Sequence, residues 1–177
     1  MTSSTQQSYT RVAVILHWLV ALLIVINFVL GLLMESFAGT PTRDSVLFFH
    51  ASIGSALLML VVFRLYWRLT HRPPALPATM PRWQVLAADT MHWMLYLLLF
   101  LIPLTGYLHR NAGGHPINFF GLGDLPLLAG KDLALRLWTG SAHTVLVWLL
   151  AALVVAHIAA GLKHHFIDHD GVLARMR

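Results

Sequence analysis

The chain has 177 residues, 58% of them hydrophobic and 11% charged, with a formal net charge of +5. That is too apolar for an ordinary soluble domain. Cysteine is absent, which excludes disulfides, thiolate metal sites and thioether-linked cofactors.

Residues 1–7 form a short polar tail. Four hydrophobic stretches follow, at about 12–33, 46–69, 86–108 and 137–165, each long enough to span a bilayer. With their connections they occupy the whole chain, so residues 1–177 read as one all-α membrane domain, a four-transmembrane-helix bundle. The first stretch is too long for a signal-peptide core and carries His17, so it is expected to remain as a span. Connection 34–45 is short and holds Gly39 and Pro41. Connection 70–81 holds Pro73, Pro74, Pro77 and Pro81, so it is not helical throughout. Pro103 is expected to kink the third span, where neighbouring helices cover the freed carbonyl. The long connection 109–136 opens with a glycine turn at 111–114. It continues as Ile117-Asn118-Phe119-Phe120, which suits the membrane interface.

The basic charge orients the protein rather than marking nucleic acid. With the N-terminus inside, the cytoplasmic ends hold Arg11, Arg64, Arg68, Arg72, Arg82, Lys163, Arg175 and Arg177. The opposite loops hold only Arg43, Arg110, Lys131 and Arg136, diluted by Glu35, Asp44, Asp124 and Asp132. This satisfies the positive-inside rule with both termini cytoplasmic. Trp18, Trp67, Trp83, Trp93 and Trp138 lie near span ends, as an aromatic belt does.

Eleven histidines stand in this apolar chain, and depth sorts them. His143 and His157 lie on one stretch fourteen residues apart, which returns the second to within about 40° of the first and about 21 Å along the axis. His50 shares the outer depth with His143. His17 and His92 share the inner depth with His157. Intramembrane imidazoles are costly and face a bundle interior. Two layers of them suggest two haems, each iron taking two imidazoles from facing helices. The outer layer supplies one pair, His50 and His143. The inner layer offers three candidates for two places. Zinc fits less well, since it favours three or four ligands in one cluster.

Other residues fall on the same faces. Gly31 and Gly106 stand fourteen residues after His17 and His92, where a side-chain-free position admits a haem plane or close helix packing. Arg64 and Arg68 lie at the inner depth, placed to pair with haem propionates or to reach lipid headgroups. His164 and His165, after Lys163, close the fourth span. They read as a quinone-headgroup donor or as a polar helix end. His164 is the better placed donor, with Arg82 or Lys163 to stabilise a semiquinone anion. Asp89 stands one turn before His92 and is placed to orient it. His71 and His169 read as surface residues.

His17-Trp18, His50 followed by Gly54, His92 before Leu95-Tyr96-Leu97, and His143, His157 and His164-His165 together resemble the bacterial cytochrome b561 family. The resemblance runs from about Tyr9 to Arg175 and rests on the order and spacing of all four spans. It implies two non-covalent bis-histidine b-type haems in a multi-pass protein of the bacterial inner membrane. It assigns His17 and His157 to the inner haem and His50 and His143 to the outer one, leaving His92 without an iron. Short stand-alone members are similar to superoxide oxidases, which pass an electron from superoxide outside to ubiquinone. In that reading Arg43, Arg110, Lys131 and Arg136 steer the anion to the outer haem, and His109 and His115 add charge or proton donors. The alternative is a membrane electron-transfer subunit docking a dehydrogenase, a hydrogenase or a periplasmic carrier. A third class is a haem-bearing structural or sensor protein without turnover.

Overall fold

Each hydrophobic stretch becomes one long helix. The structure, a computed structural model, describes residues 8–77 and 80–176; the polar tail 1–7 lies outside them. The helices are α1 (Arg11–Ser36), α2 (Pro41–Thr70), α3 (Arg82–Ala112) and α4 (Leu133–Lys163). All four are long and apolar enough to cross a membrane.

The helices outrun the apolar stretches, because local signals rather than hydropathy set their ends. The Thr10 side chain accepts from the Ala13 backbone N–H at the start of α1, and Asp132 does the same for Leu135 at α4. α2 begins at Pro41, whose fixed φ suits a first helical position, with Asp44 in its first turn. α3 runs through Pro103 to Ala112.

α1 packs on α2, α2 on α3, and α3 on α4. Val20, Leu57 and Val61 form a small core, flanked by Leu23, Ile24, Ile53, Leu60, Tyr96 and Leu99. Leu22, Val25, Val62 and Val155 point outward, as they do where lipid is the solvent.

The two ends of the bundle differ. At one end α4 passes into a π turn (His164–Asp168) and a 3-10 turn (Leu173–Met176). Trp18 Nε1 donates to the Met176 carbonyl at 3.0 Å, and Arg175 Nη1 to the Ala75 carbonyl at 2.6 Å. The start of α1, the α2–α3 connection and the C-terminal segment therefore meet at this end, called inner below. At the outer end the α3–α4 connection folds back over the helices. Ser52, fully buried on α2, donates to the Asn118 carbonyl and accepts from the Phe120 N–H. Tyr107 holds the Pro126 carbonyl, and buried Asn111 holds Leu128 and His115. Of the tract expected at the interface, Ile117 is buried, whereas Phe120 and the following Leu122 are exposed.

Candidate functional site

The two histidine layers form as geometry. In the outer layer the rings of His50 and His143 have centres 6.2 Å apart and planes 79° apart. His50 Nδ1 lies 3.1 Å from the Asn27 carbonyl oxygen, and His143 Nδ1 lies 2.9 Å from that of Ile102. A carbonyl only accepts, so each Nδ1 carries the proton and each Nε2 keeps its lone pair. A metal-binding imidazole needs this arrangement, with its second nitrogen fixed by an outer acceptor.

Helix geometry explains how a mid-helix carbonyl becomes available. Asn27 and Gly31, and likewise Ile102 and Gly106, are separated by four residues, so the glycine N–H is the helical partner of that carbonyl. Without a Cβ, the glycine leaves the flank of the carbonyl open. A Cβ on Gly31 would stand 3.3 Å from His50 Cε1, and one on Gly106 would stand 3.0 Å from His143 Cε1. The glycines thus serve the outer histidines directly. Gly54 and Gly161 do not share this role: their nearest side-chain neighbours are Asn27 and Leu173.

The inner layer brings three imidazoles together. His17 and His157 have ring centres 6.3 Å apart, and His92 lies 5.6 Å from His157. Arg64 Nη2 lies 3.0 Å from His17 Nδ1, and its Nε donates to the Tyr96 hydroxyl at 3.0 Å. A guanidinium only donates, so His17 Nδ1 accepts and the ring proton sits on Nε2. For Nε2 to bind a metal, Nδ1 must take the proton and release Arg64. Among the described residues no carboxylate pairs with Arg64, so the freed guanidinium is open to an anionic group such as a propionate. Arg68 lies over the Trp93 and Tyr96 rings, 5.8 Å from each centre. Asp89 is exposed.

These residues fit a haem at each layer. An iron bonded at about 2 Å to two imidazole nitrogens sets the ring centres about 6 Å apart. His50–His143 and His17–His157 match that spacing and each other.

At the outer end the four expected cations form two neighbouring groups. Lys131 and Arg136 pack against Gly114 and Gly113, and Arg110 donates to the Pro116 carbonyl. Arg43 and Asp44 are the charges that act on Arg110. His109 stands out more sharply in the structure than in the sequence. Its Nδ1 donates to the Arg136 carbonyl at 2.9 Å, and its ring packs so closely on Gly140 that a Cβ there would stand 2.8 Å away. Gly140 is one turn outward of His143. The His50 dock uses the Asn27 backbone carbonyl, so the asparagine side chain gave no signal for it in the sequence.

At the inner end His164 is not a free donor at both nitrogens. Its Nδ1 lies 2.6 Å from Asp170 Oδ2 and 3.2 Å from Asp168 Oδ2. Lys163 is engaged by Asp168 at 2.6 Å. A cavity of about 250 Å³ lined by Pro77, Met80, Pro81, Gln84, Asp168 and Asp170 lies beside this cluster, and Arg82 follows its Pro81 wall.

Residues 8–177 match the family described as "prokaryotic cytochrome b561". The chain is 39% identical to "cytochrome b561 homolog 2" of Escherichia coli K12, over 98% of this chain and 93% of the relative. It is 27% identical to "cytochrome b561 homolog 1" of the same organism, over 95% and 96%. It is 28% identical to the "probable superoxide oxidase CybB" of Yersinia pestis, over 96% of each chain.

Proposed function

The chain belongs to the prokaryotic cytochrome b561 family, membrane electron-transfer proteins with b-type haem, and from that membership we propose that it carries electrons from superoxide through two haems to ubiquinone. In this reading it sits in the bacterial inner membrane with both termini cytoplasmic, and the outer layer faces the periplasm. The observation that carries it is the pair of equal ring spacings, 6.2 and 6.3 Å, at two depths of one bundle. The superoxide assignment draws on the outer cations and on the name borne by the Yersinia relative.

His50 and His143 hold the outer haem, and His17 and His157 the inner one; bound haem supplies one-electron exchange at each layer. The chain's own residues do the rest. The Asn27 and Ile102 carbonyls fix the outer rings in the ligating tautomer. Arg64 leaves His17 for a propionate. Arg43, Arg110, Lys131 and Arg136 raise the local concentration of a small anion at the outer end. His164 donates from Nε2 to a quinone carbonyl, with Arg82 beside the headgroup. Two superoxide anions become two O2, and the quinone takes two electrons and two protons.

A superoxide pulse delivered to purified protein in a stopped-flow spectrometer tests this. The haem absorbance should show reduction within the pulse, followed by reoxidation when a ubiquinone analogue is present. Absence of reduction would remove superoxide as donor and favour a protein donor.

A further inference from the structure

Beyond Lys163 the chain returns on His164. The π turn over His164–Asp168 and the left-handed His169, with φ 51°, reverse its direction. Asp170, six residues on, comes back to place Oδ2 2.6 Å from His164 Nδ1. Its other oxygen accepts the Val172 N–H at 3.1 Å, so the carboxylate is held from both sides. Arg175, bonded to the Ala75 carbonyl, ties this returning segment to the α2–α3 connection. The His164 side chain is 16% exposed.

A carboxylate only accepts, so Asp170 keeps a proton on His164 Nδ1 and leaves Nε2 as the ring's free end. Asp168, which also approaches Nδ1, is already neutralised by Lys163. The cavity gives both carboxylates access to solvent.

We propose that Asp170 is the positioning residue of the quinone site, orienting His164 and balancing its charge when the ring carries both protons. This rests on the quinone reading above. The two protons of the quinol then pass from Nε2 to the reduced quinone in turn, Nε2 being reloaded from solvent between them, while Asp170 holds the Nδ1 proton on the ring. The electrons are those delivered by two superoxide anions. A buried acid behind an imidazole does this work in hydrolytic triads, where it sets tautomer and orientation without itself being protonated. Lys163, held by Asp168, is the counter-ion of this cluster rather than a contact of the semiquinone.

The test compares Asp170→Asn, Asp170→Ala and His164→Ala in the haem-loaded full chain with decyl-ubiquinone. In all three, reduction of the haems by superoxide should match the parent. Asp170→Asn should slow reoxidation by about 10-fold or more, the lower bound being the cost of losing the outer partner of a metal-ligating imidazole. The loss should fall on kcat, with an enlarged solvent isotope effect and little change in KM. The 15N spectrum of histidine-labelled protein, with His164 assigned from the His164→Ala difference, should show loss of the Nδ1-protonated tautomer. Parent-like reoxidation in Asp170→Asn overturns the proposal. So does a loss confined to KM with an unchanged 15N tautomer, since a purely structural acid would give that. Should Asp170→Ala fail to fold, Asp170→Asn decides alone, because its amide still accepts from Val172. Parent-like reoxidation in His164→Ala would instead overturn the quinone placement itself.

Discussion

Gly106 lies directly under the ring of His143, and the same helix supplies the carbonyl, four residues earlier, that holds that ring. Gly31 and Asn27 repeat the arrangement for His50 on α1. Neither ring can retreat without losing its hydrogen bond. Gly106→Ala should therefore disturb the outer haem, and Gly31→Ala should do so less, because its contact is longer by 0.3 Å (3.3 against 3.0 Å). Overpacking of this kind costs about 1–3 kcal/mol. Spectra of the purified variants should show the outer-haem bands weakened or shifted in that order, with the inner-haem bands retained.

Haem content follows from the paired layers. Two non-covalent b-type haems per chain, both low-spin, are expected from a pyridine haemochrome assay against protein concentration. The ring planes of His50 and His143 are 79° apart, and those of His17 and His157 66° apart. Near-perpendicular imidazoles leave two iron d orbitals close in energy, so the haem held by His50 and His143 should give a strongly anisotropic low-spin EPR signal. A single haem at full saturation would contradict the two-layer arrangement.

Ligand replacement separates the layers. His50→Ala or His143→Ala should remove the outer haem and leave the inner one, and His157→Ala should do the reverse. His92 and His17 both approach His157, but only His17 keeps the spacing of the outer pair. Accordingly His17→Ala should lose the inner haem, whereas His92→Ala should retain two low-spin haems. The opposite pattern would transfer the inner site to His92.

Ser52 is the anchor of the outer connection. Ser52→Ala removes its bonds to the Asn118 carbonyl and the Phe120 N–H, at about 0.5–1.5 kcal/mol for each bond. Hydrogen exchange across residues 117–124 should rise selectively, while exchange in the middle of α1 and α4 stays unchanged.

Steering by the outer cations should depend on ionic strength. Charge reversal at Arg43 or Arg136, both exposed, should lower the bimolecular rate with superoxide severalfold at low salt. The difference should shrink as the Debye length falls to about 8 Å at physiological salt. A salt-independent rate in the parent protein would argue against steering.

The spans, the two depths and the outer pair were legible in the sequence, because hydropathy and helical spacing are local properties. His143 and His157 needed only a continuous helix to take their relative positions, and α4 provides one. The docks of His50 and His143 were not legible, since Asn27 and Ile102 act through backbone carbonyls, which carry no residue signature. Gly31 and Gly106 stood out by spacing from His17 and His92, yet they serve the other layer's histidines, which face them from different helices. His164 was read as a free donor because Asp170 reaches it only through the π turn and the left-handed His169. The helix ends ran longer than the apolar stretches because Pro41 and Asp132 are capping signals that hydropathy does not register.

The continuity of α4 has an electrical consequence. Fourteen residues at 1.5 Å each place His157 about 21 Å from His143 along a hydrocarbon layer of about 30 Å. An electron passing between the layers crosses roughly two-thirds of the membrane field. Since a full crossing is worth about 2.3 kcal/mol per 100 mV, each inward electron works against an inside-negative potential by about 1.5 kcal/mol per 100 mV. In the proposed orientation, inward transfer through this bundle is electrogenic, and collapsing the membrane potential should accelerate it.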